Sequence, residues 1–314
     1  MPIYKPVLRP VRQPRLLELE TVLQQKEKPV LIIRSTNWLG DALMTLPAVY
    51  RLRLAMPAHA KMVVIAPKKL RTLWDSVDWT EQVLTFQNRR MSAVERADIS
   101  RVKPALSVVL PNSFGAAFDL WRASCKPLIG RAGRGRNLLL HWRLPSWQRV
   151  AGEDHYHQVC EYLDLAQAMG ADVSDIATPP LQPAVSDTER TSLEVLTAGL
   201  PKPWLVLAPG AAFGPAKQWP AEYFNVIAKT WQSESGGSVL AVGAPGEEAA
   251  AETAIKDCPS SLNCAGKTSV AQLMVLLQKS VCVVANDSGS MHLAAALGCH
   301  GVAVFGSTDP TATG

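Results

Sequence analysis

Short apolar runs alternate along the chain with longer amphipathic stretches. The clearest run of the first half is Val30–Ile33, and the clearest run of the second half is Val281–Ala285. Runs in which polar residues do not alternate with apolar ones are typical of strands buried on both faces of a parallel sheet. A polar turn and a helical stretch follow each of these two runs. The pattern therefore predicts an α/β protein built on parallel, doubly wound sheets.

The pattern predicts the same alternation in both halves of the chain. Strands are expected at 30–33, 62–66, 83–86, 106–110, 204–208, 238–242, 262–264, 281–285 and 302–305. Helices are expected at 42–55, 91–101, 113–123, 155–169, 187–198, 221–234, 246–257, 269–278 and 291–297. Pro47 predicts either a kink or a late start for the first long helix, because proline lacks the N–H that a helix interior needs.

A polar, proline-rich stretch from Gly170 to Pro203 separates the two halves. The chain has 314 residues, enough for two domains that each bury a core. We predict an N-terminal extension at 1–28, a first Rossmann-like domain at 29–185 and a second at 186–314, with a cleft between the domains. The extension is expected to be a flexible arm followed by a short helix. A solvated tail and a contact with an acidic membrane surface are the two alternatives for it.

Composition narrows the class of protein. The chain is 47% hydrophobic and 19% charged, which excludes a disordered protein. A net charge of +5 favours an anionic partner. The scattered tryptophans indicate packing and not base stacking, so nucleic acid is not expected. No apolar run approaches the roughly 18 residues that span a bilayer, no secretory signal is visible, and the six cysteines lack metal-like spacing. Reduced, cytosolic thiols are expected.

Several common nucleotide motifs are absent. Neither half has G-x-G-x-x-G after its first strand, which disfavours a nicotinamide or flavin enzyme. The chain has no P-loop motif and no D-x-D pair of carboxylates for a metal-bound diphosphate. A diphosphate would therefore have to be neutralised by cationic side chains and helix N-termini, without a metal.

The turn after Val281–Ala285 is the strongest candidate for a ligand site. It consists of Asn286, Asp287, Ser288 and Gly289 and leads into a predicted helix. Ligands of open α/β sheets bind at the carboxyl ends of strands, and the N–H groups of a helix start favour an anion such as a diphosphate. The carboxylate of Asp287 suits a ligand that also carries hydroxyl groups, as a nucleotide sugar does. The alternative is that Asp287 or Ser288 only caps the helix.

Two further loops of the second half follow strands of the same predicted sheet. The glycine-rich loop Pro209–Pro220 lets its backbone approach a ligand and carries Lys217 as a mobile positive charge. Because this loop and the turn at 286–289 leave the same sheet edge, both can face one ligand; the alternative is a solvated lysine. In the next loop, Glu247 or Glu248 can accept hydrogen bonds from a ribose diol. The alternative is that both acids only interact favourably with the dipole at the start of the following helix.

The first half offers a carboxylate and a basic segment. Asp41 lies at a turn between strand and helix, where it can act as a general base on a hydroxyl group or serve as an ordinary helix cap. Residues 122–143 carry six Lys and Arg residues and no acid. This segment is interpreted either as a contact for an anionic acceptor or as a solvated loop.

Together these stretches resemble glycosyltransferase family 9, the heptosyltransferases, from about residue 30 to the end of the chain. The motifs that carry the resemblance are Ile33–Asp41, Val109–Phe114, Pro209–Pro220, Asn286–His292 and Phe305–Pro310. Each motif alone is weak evidence for the family, whereas the order and spacing of all five motifs are specific to it. The extension at 1–28 is not part of the family pattern.

The resemblance implies a GT-B fold, in which two Rossmann-like domains face a cleft, and an inverting transfer that needs neither metal nor cofactor. It implies ADP-L-glycero-β-D-manno-heptose as donor and a heptose of the anionic lipopolysaccharide inner core as acceptor. A cytoplasmic enzyme is implied, and its lipid acceptor would bring it to the inner face of the inner membrane. The family pattern also predicts several dozen residues after Gly314, including a helix that crosses back to the first domain, so the second domain is expected to be truncated.

The resemblance also implies roles for single residues. In this sequence the family's catalytic base corresponds to Asp41 and its diphosphate-binding lysine corresponds to Lys217. The ribose-binding acid corresponds to Glu247 or Glu248. The other donor-site residues are Gly210, Asp287, Ser288, Gly289 and His292. On the acceptor side, we predict contacts from two residues of the motif Val109–Phe114 and from the arginines of the basic segment, namely Asn112, Ser113, Arg131, Arg134 and Arg136.

Two other functions stay open at this point. A related transferase of envelope glycans could use another nucleotide sugar, because Ala211 and Ala212 offer the donor no polar side chain. A non-catalytic binder of nucleotide sugars, or an assembly partner, is the other alternative. The presence of both Asp41 and Lys217 argues against that alternative.

Overall fold

The computed structural model describes residues 15–147, 157–211 and 215–313. The chain forms two compact units, residues 1–179 and 180–314. The division lies inside the proline-rich stretch that separates the two halves, slightly before position 185. Within the described ranges, no helix combines the length and the apolar character that crossing a membrane requires.

Unit 1 is built on one parallel sheet of six strands. The order across the sheet is β3-β2-β1-β4-β5-β6, which is the order of a doubly wound dinucleotide-binding fold. The chain order therefore reverses between β1 and β4, where Arg34 pairs with Val109. Ligands of such sheets bind at the carboxyl ends of the strands at this reversal. The strands are β1 (Val30–Arg34), β2 (Lys61–Pro67), β3 (Gln82–Phe86), β4 (Leu106–Val109), β5 (Leu128–Arg131) and β6 (Trp142–Leu144).

The helices of unit 1 pack on both faces of this sheet. One core cluster joins Ile32, Val63 and Val109 of the sheet to Leu120 of a covering helix. The helices are α1 (Leu19–Gln24), α2 (Leu39–Leu54), α3 (Arg71–Asp75), α4 (Ala93–Ser100), α5 (Phe114–Arg122) and α6 (Gln158–Ala168), with short 3-10 helices at Lys68–Leu70 and Arg136–Leu138.

Unit 2 repeats the architecture with five parallel strands. Their order is β11-β10-β7-β8-β9, so the chain order reverses between β7 and β10. Ala208 of β7 pairs with Ala285 of β10, which places the loops after these two strands side by side. The strands are β7 (Trp204–Ala208), β8 (Ser238–Ala241), β9 (Ser261–Asn263), β10 (Cys282–Asn286) and β11 (Gly301–Val304).

The helices of unit 2 alternate with its strands. Phe224 and Ala228 lie fully buried against Leu205 and Leu207 of β7 in the core of the unit. The helices are α7 (Asp187–Leu196), α8 (Ala221–Ser235), α9 (Glu248–Ala254), α10 (Val270–Lys279), α11 (Gly289–Ala296) and α12 (Pro310–Thr313), with a 3-10 helix at Pro215–Lys217.

The short helix predicted for the N-terminal extension is present as α1, and the described part of the extension is not a solvated tail. Leu16 and Leu17 donate backbone hydrogen bonds to the carbonyl of Ala168 at the end of α6. Leu19 and Leu23 of the expected short helix are buried. The apolar residues of this segment therefore add to the core of unit 1. The arm predicted for residues 1–14 lies outside the described residues.

Helices α2 and α3 and strands β5 and β6 of unit 1 differ from the prediction, and α3 is not predicted at all. Helix α2 begins at Leu39 and contains Pro47 in its interior, so a late start is wrong. The pattern does not predict β5 and β6, because these short strands lie in the basic segment 122–143. The structure places both strands at the edge of the sheet, where β5 pairs with β4.

Candidate active site

Asn286 joins the two central loops of unit 2. It is fully buried at the end of β10. Its Oδ1 accepts a hydrogen bond of 3.0 Å from the backbone N–H of Trp219, and its Nδ2 donates one of 2.7 Å to the carbonyl of Pro209. One side chain therefore fixes both ends of the described part of the loop after β7. Sequence reasoning assigned no role to Asn286, since its partners lie far away along the chain.

Lys217 and Asp287 form an ion pair where these loops meet. Lys217 Nζ lies 2.7 Å from Asp287 Oδ2. The Asp287 side chain is 4% exposed, whereas that of Lys217 is 26% exposed. Burial raises the pKa of Asp287, but the hydrogen bond from Lys217, the nearby hydroxyl of Thr308 and the charges of Lys217 and His292 together outweigh burial, and the pKa lies below its usual value. The site thus holds an ionised carboxylate behind an ammonium group that reaches solvent.

The start of α11 is not capped by a side chain. Ser288 occupies the N-cap position with an extended backbone, but its side chain makes no cap hydrogen bond. Its Oγ is buried without a hydrogen-bond partner in the structure. Since the Asp287 carboxylate is engaged by Lys217, the interpretation of Asp287 or Ser288 as a simple cap is wrong. The first-turn N–H groups from Gly289 onward are of the kind that bind anions.

Glu247 and Glu248 differ clearly in their surroundings. The Glu247 carboxylate lies so close to Gly210 that a Cβ at that position would overlap with it. It also accepts a hydrogen bond of 2.7 Å from the backbone of Ala244. Glu248 is exposed and accepts hydrogen bonds from the backbone of Gly246, which lower the pKa of its carboxyl group. Glu247 is therefore the acid that faces the loop after β7.

In unit 1 the turn after β1 carries Asp41 into the first turn of α2. Arg34 is buried, stacks 4.4 Å from the ring centroid of Phe86 and donates to Asn37. Burial lowers the pKa of Arg34 to about 10. The N-cap position of α2 is Trp38, which makes no side-chain cap bond, and Asp41 is the third helical residue. Asp41 therefore does not occupy the N-cap position of α2.

The other acceptor-side candidates take part in a buried polar network. Asn112 follows β4, accepts a hydrogen bond of 2.6 Å from Arg136 and donates one to Glu161 of α6. Arg136 also donates to the carbonyl of Pro111. Arg131, at the end of β5, pairs with Asp164 of α6 at 3.0 Å. Sequence reasoning missed the two acids of α6.

This network shows that part of the basic segment 122–143 is buried. Arg131 and Arg136 are 4% and 0% exposed, so the interpretation as a solvated loop is wrong for both. Arg134 is exposed and has a positive φ of 49°. The side chain of Ser113 accepts a hydrogen bond from Ala116 and caps α5. Contact between these residues and an acceptor stays a prediction.

We expect Arg131→Met to lower the free energy of unfolding by about 3–5 kcal/mol, because it leaves Asp164 buried without its cation. Burial already raises the pKa of Asp164 to about 6, although Arg131 opposes this effect. Without Arg131 the pKa of Asp164 should rise above about 6, so the destabilisation should be largest at high pH and shrink as the pH falls towards about 6, because the variant takes up the proton before the parent does. Urea denaturation at several pH values measures both effects. Arg143→Met, at an exposed site of β6, is the matched control, and equal stability of the two variants would contradict a structural role for Arg131.

The structure thus assembles two groups of candidate residues, one in each unit. In unit 2, Gly210, Lys217, Glu247 and Asp287 lie on loops at the carboxyl edge of one sheet, together with the start of α11. In unit 1, the groups at the corresponding edge are Asp41, Asn112 and the arginine network. Among residues 15–147, 157–211 and 215–313, no three His, Cys, Asp or Glu side chains form a cluster that could hold a metal ion.

Two Rossmann-like units with candidate residues at the strand reversals define a doubly wound α/β protein, a class that binds ligands at the carboxyl ends of its strands. The model of glycosyltransferase family 9 (heptosyltransferase) matches residues 101–314. Lipooligosaccharide heptosyltransferase 2 of Haemophilus ducreyi is 30% identical over 302 residues, which cover 90% of this chain and 85% of that protein. Lipopolysaccharide heptosyltransferase 2 of Escherichia coli K12 is 29% identical over 90% of this chain and 84% of its own length.

A solved structure supports the same relationship. The structure of E. coli ADP-heptose lps heptosyltransferase II aligns with a TM-score of 0.76 at 27% identity and covers 91% of this chain and 87% of that chain. The chain belongs to glycosyltransferase family 9, the heptosyltransferases. The predicted fold class, two Rossmann-like doubly wound domains of the GT-B type, is confirmed.

Proposed function

We propose that the protein transfers heptose from ADP-L-glycero-β-D-manno-heptose to a heptose of the lipopolysaccharide inner core. The family relationship supports a glycosyltransferase, and the names of the relatives support this donor and acceptor. The observation that carries the proposal is the Lys217–Asp287 pair between the loop after β7 and the start of α11. This arrangement presents a cation and free helix N–H groups to one anion.

The donor diphosphate binds between Lys217 and the start of α11. The Lys217 ammonium group has three N–H donors, of which one engages Asp287. The positive charge of Lys217 and the N–H groups from Gly289 onward neutralise the diphosphate, together with the hydroxyl of Ser288. His292 lies one helical turn further along α11. In this proposal no metal ion and no cofactor are required for donor binding.

Glu247 binds the ribose of the donor. Its carboxylate lies at Gly210, where the loop after β7 begins, whereas Glu248 is engaged by the backbone of Gly246. A carboxylate past a strand of a Rossmann-like sheet is placed to accept hydrogen bonds from the ribose hydroxyls. The absence of a side chain at Gly210 allows the carboxylate this close approach.

We expect Glu247→Gln to weaken ADP binding by about 10- to 100-fold, which is the effect of losing charge-assisted hydrogen bonds. The glutamine can still accept the hydrogen bond from Ala244, so the loop should keep its structure. Glu248→Gln removes the same charge one position along the chain and is the matched control. Calorimetry with ADP checks both variants. A larger loss of affinity in the Glu248 variant would reverse the assignment.

The transfer is a single displacement at the anomeric carbon. A hydroxyl oxygen of the acceptor heptose forms the new bond to this carbon while the bond from the carbon to the diphosphate oxygen breaks. Asp41 accepts the proton of the attacking hydroxyl as general base. Lys217 and the start of α11 stabilise the negative charge that develops on the departing ADP. This direct attack inverts the anomeric configuration.

Calorimetry of nucleotide binding tests the donor. We expect ADP to bind in the presence of a metal chelator, with UDP and GDP binding much more weakly, and ADP-heptose to be consumed only when an inner-core acceptor is added. Selective binding of UDP or GDP would favour a related transferase with another donor. ADP binding without transfer to any heptose acceptor would favour a non-catalytic binder. Because the acceptor is part of a lipid, the proposal places the enzyme in the cytoplasm and in peripheral contact with the inner membrane.

A further inference from the structure

Helix α5 of unit 1 presents a stack of aromatic side chains to solvent. Phe114, Phe118 and Trp121 lie on one face of the helix, as their spacing of three and four residues requires. Neighbouring ring centroids are 5.4 and 6.1 Å apart, and the ring planes are within 20° of parallel. Phe114 is 43% and Trp121 38% exposed. Exposed aromatic groups in a contiguous patch usually mark an interaction surface.

The same surface extends onto the next loop of unit 1. The 3-10 helix Arg136–Leu138 packs against α5. Phe114 lies next to Gly135, at the start of that helix. Leu138 is 95% exposed, the most exposed of the large hydrophobic residues described. Leu138 is therefore an exposed aliphatic residue near the aromatic stack.

Cationic side chains border these apolar groups. Lys126 Nζ lies 4.1 Å from the ring centroid of Trp121, and the Arg122 guanidinium lies 6.0 Å from that of Phe118. Arg134 is exposed next to Gly135. We call Phe114, Phe118, Trp121, Leu138, Arg122, Lys126 and Arg134 the aromatic–cationic face.

Negative charge near this face is already neutralised. Asp119 is the only carboxylate of α5, and it is buried and bound by Arg90 through hydrogen bonds of 2.8–3.1 Å. The neighbouring helix α4 carries two acids, Glu95 and Asp98. Glu95 closes the capping box of α4, and Asp98 pairs with Arg101. The aromatic–cationic face therefore has a positive net charge.

The face begins at the edge of the sheet that carries the proposed base. Helix α5 follows β4, and helix α2, which carries Asp41, follows β1. Strands β1 and β4 are parallel neighbours, so both helices begin at the same carboxyl edge. A surface that contacts the face is therefore close to the part of unit 1 that would receive an acceptor.

We propose that the aromatic–cationic face docks unit 1 on a bilayer surface that contains anionic lipids. Aromatic side chains favour the interface between lipid and water, and each cation near an anionic membrane adds electrostatic attraction. An amphipathic helix of this composition lies in the plane of the interface with its apolar side in the headgroup region. This inference rests on the proposed function in one respect: a lipid-linked acceptor explains why unit 1 would contact a membrane. Vesicle binding itself requires no acceptor.

The test is co-sedimentation of the full chain with vesicles that contain no lipopolysaccharide. We expect binding to phosphatidylcholine vesicles that contain phosphatidylglycerol and little binding to phosphatidylcholine alone. Arg122→Gln combined with Lys126→Gln should lower the partition coefficient by about 30-fold at low salt, which corresponds to the loss of two cations near the surface. Phe114→Ser combined with Trp121→Ser should lower it at least as much, including at high salt, where attraction between charges is screened.

Two control pairs in unit 2 remove the same kinds of group elsewhere. Lys256→Gln with Lys279→Gln removes two exposed lysines, and Val195→Ser with Val226→Ser removes two exposed apolar residues. These controls should bind vesicles as the parent protein does. If the variants of the aromatic–cationic face partition like the controls, the proposal is overturned. It is also overturned if the parent protein self-associates without vesicles and the face variants do not, since the face would then join two copies.

Activity on a lipid-free inner-core oligosaccharide separates this proposal from the proposed function. The variant with both Phe114→Ser and Trp121→Ser, which lies outside the basic segment 122–143, should retain this activity while it loses vesicle binding. Loss of vesicle binding together with unchanged activity on the oligosaccharide supports the docking surface. Normal vesicle binding by a protein that transfers no heptose would overturn the proposed function and leave the docking surface standing.

Discussion

Asp41→Asn should lower the turnover number of heptosyl transfer by about 10²–10⁴-fold, which is the contribution of a general base. The carboxamide has nearly the same shape but cannot accept the proton of the acceptor hydroxyl. ADP affinity should not change, because Asp41 lies in unit 1 and the proposed donor groups lie on loops of unit 2. Steady-state kinetics with ADP-heptose and an inner-core acceptor give the turnover number, and calorimetry gives the ADP affinity.

The control for this variant must reproduce the loss of a carboxylate at a helix start. Asp41 is in the first turn of α2, where removing the negative charge costs about 0.3–1 kcal/mol of helix stabilisation. Asp187→Asn removes an exposed carboxylate from the first turn of α7 and should leave the turnover number unchanged. Full activity of Asp41→Asn would refute the base assignment. A parallel loss of rate and thermal stability would instead indicate a structural role for Asp41.

The sequence was informative wherever function depends on local order along the chain. The turn at 286–289 could be recognised because strand, polar turn and helix follow one another directly. The proximity of this turn to the loop that carries Lys217 could also be predicted, since parallel strands place all their carboxyl ends at one edge of the sheet. The ion pair between Lys217 and Asp287 joins these two loops, as that argument requires.

Properties that depend on distant partners could not be predicted. The basic segment 122–143 contains no acid, so nothing local indicated that Arg131 is buried. Its partner Asp164 comes from α6, 33 residues further along the chain, and only the folding of unit 1 brings the two charges together. The choice between Glu247 and Glu248 likewise depends on the close approach of Gly210, which belongs to another loop.

Lys217→Ala should lower kcat/KM for heptosyl transfer by about 10²–10³-fold, the usual effect of removing one donor that stabilises charge in the transition state. It should also weaken ADP binding, since the ammonium group is the proposed partner of the diphosphate. The substitution removes the hydrogen bond and the charge of Lys217, which both lower the pKa of Asp287, so the pKa of this carboxyl group should rise. Comparison of ADP with adenosine isolates the phosphate contribution, because adenosine carries the same base and ribose without phosphate.

We expect adenosine affinity to be the same in Lys217→Ala and in the parent protein, whereas ADP affinity falls. Lys267→Ala is the matched control, because Lys267 is an exposed lysine just after β9, at the same carboxyl edge of the unit 2 sheet. It should leave both affinities unchanged. An equal loss of ADP and adenosine binding in Lys217→Ala would indicate a general disturbance of the loop after β7. Unchanged ADP binding would show that the cation does not contact the diphosphate, and charge stabilisation of the leaving group would then have to come from the start of α11 alone.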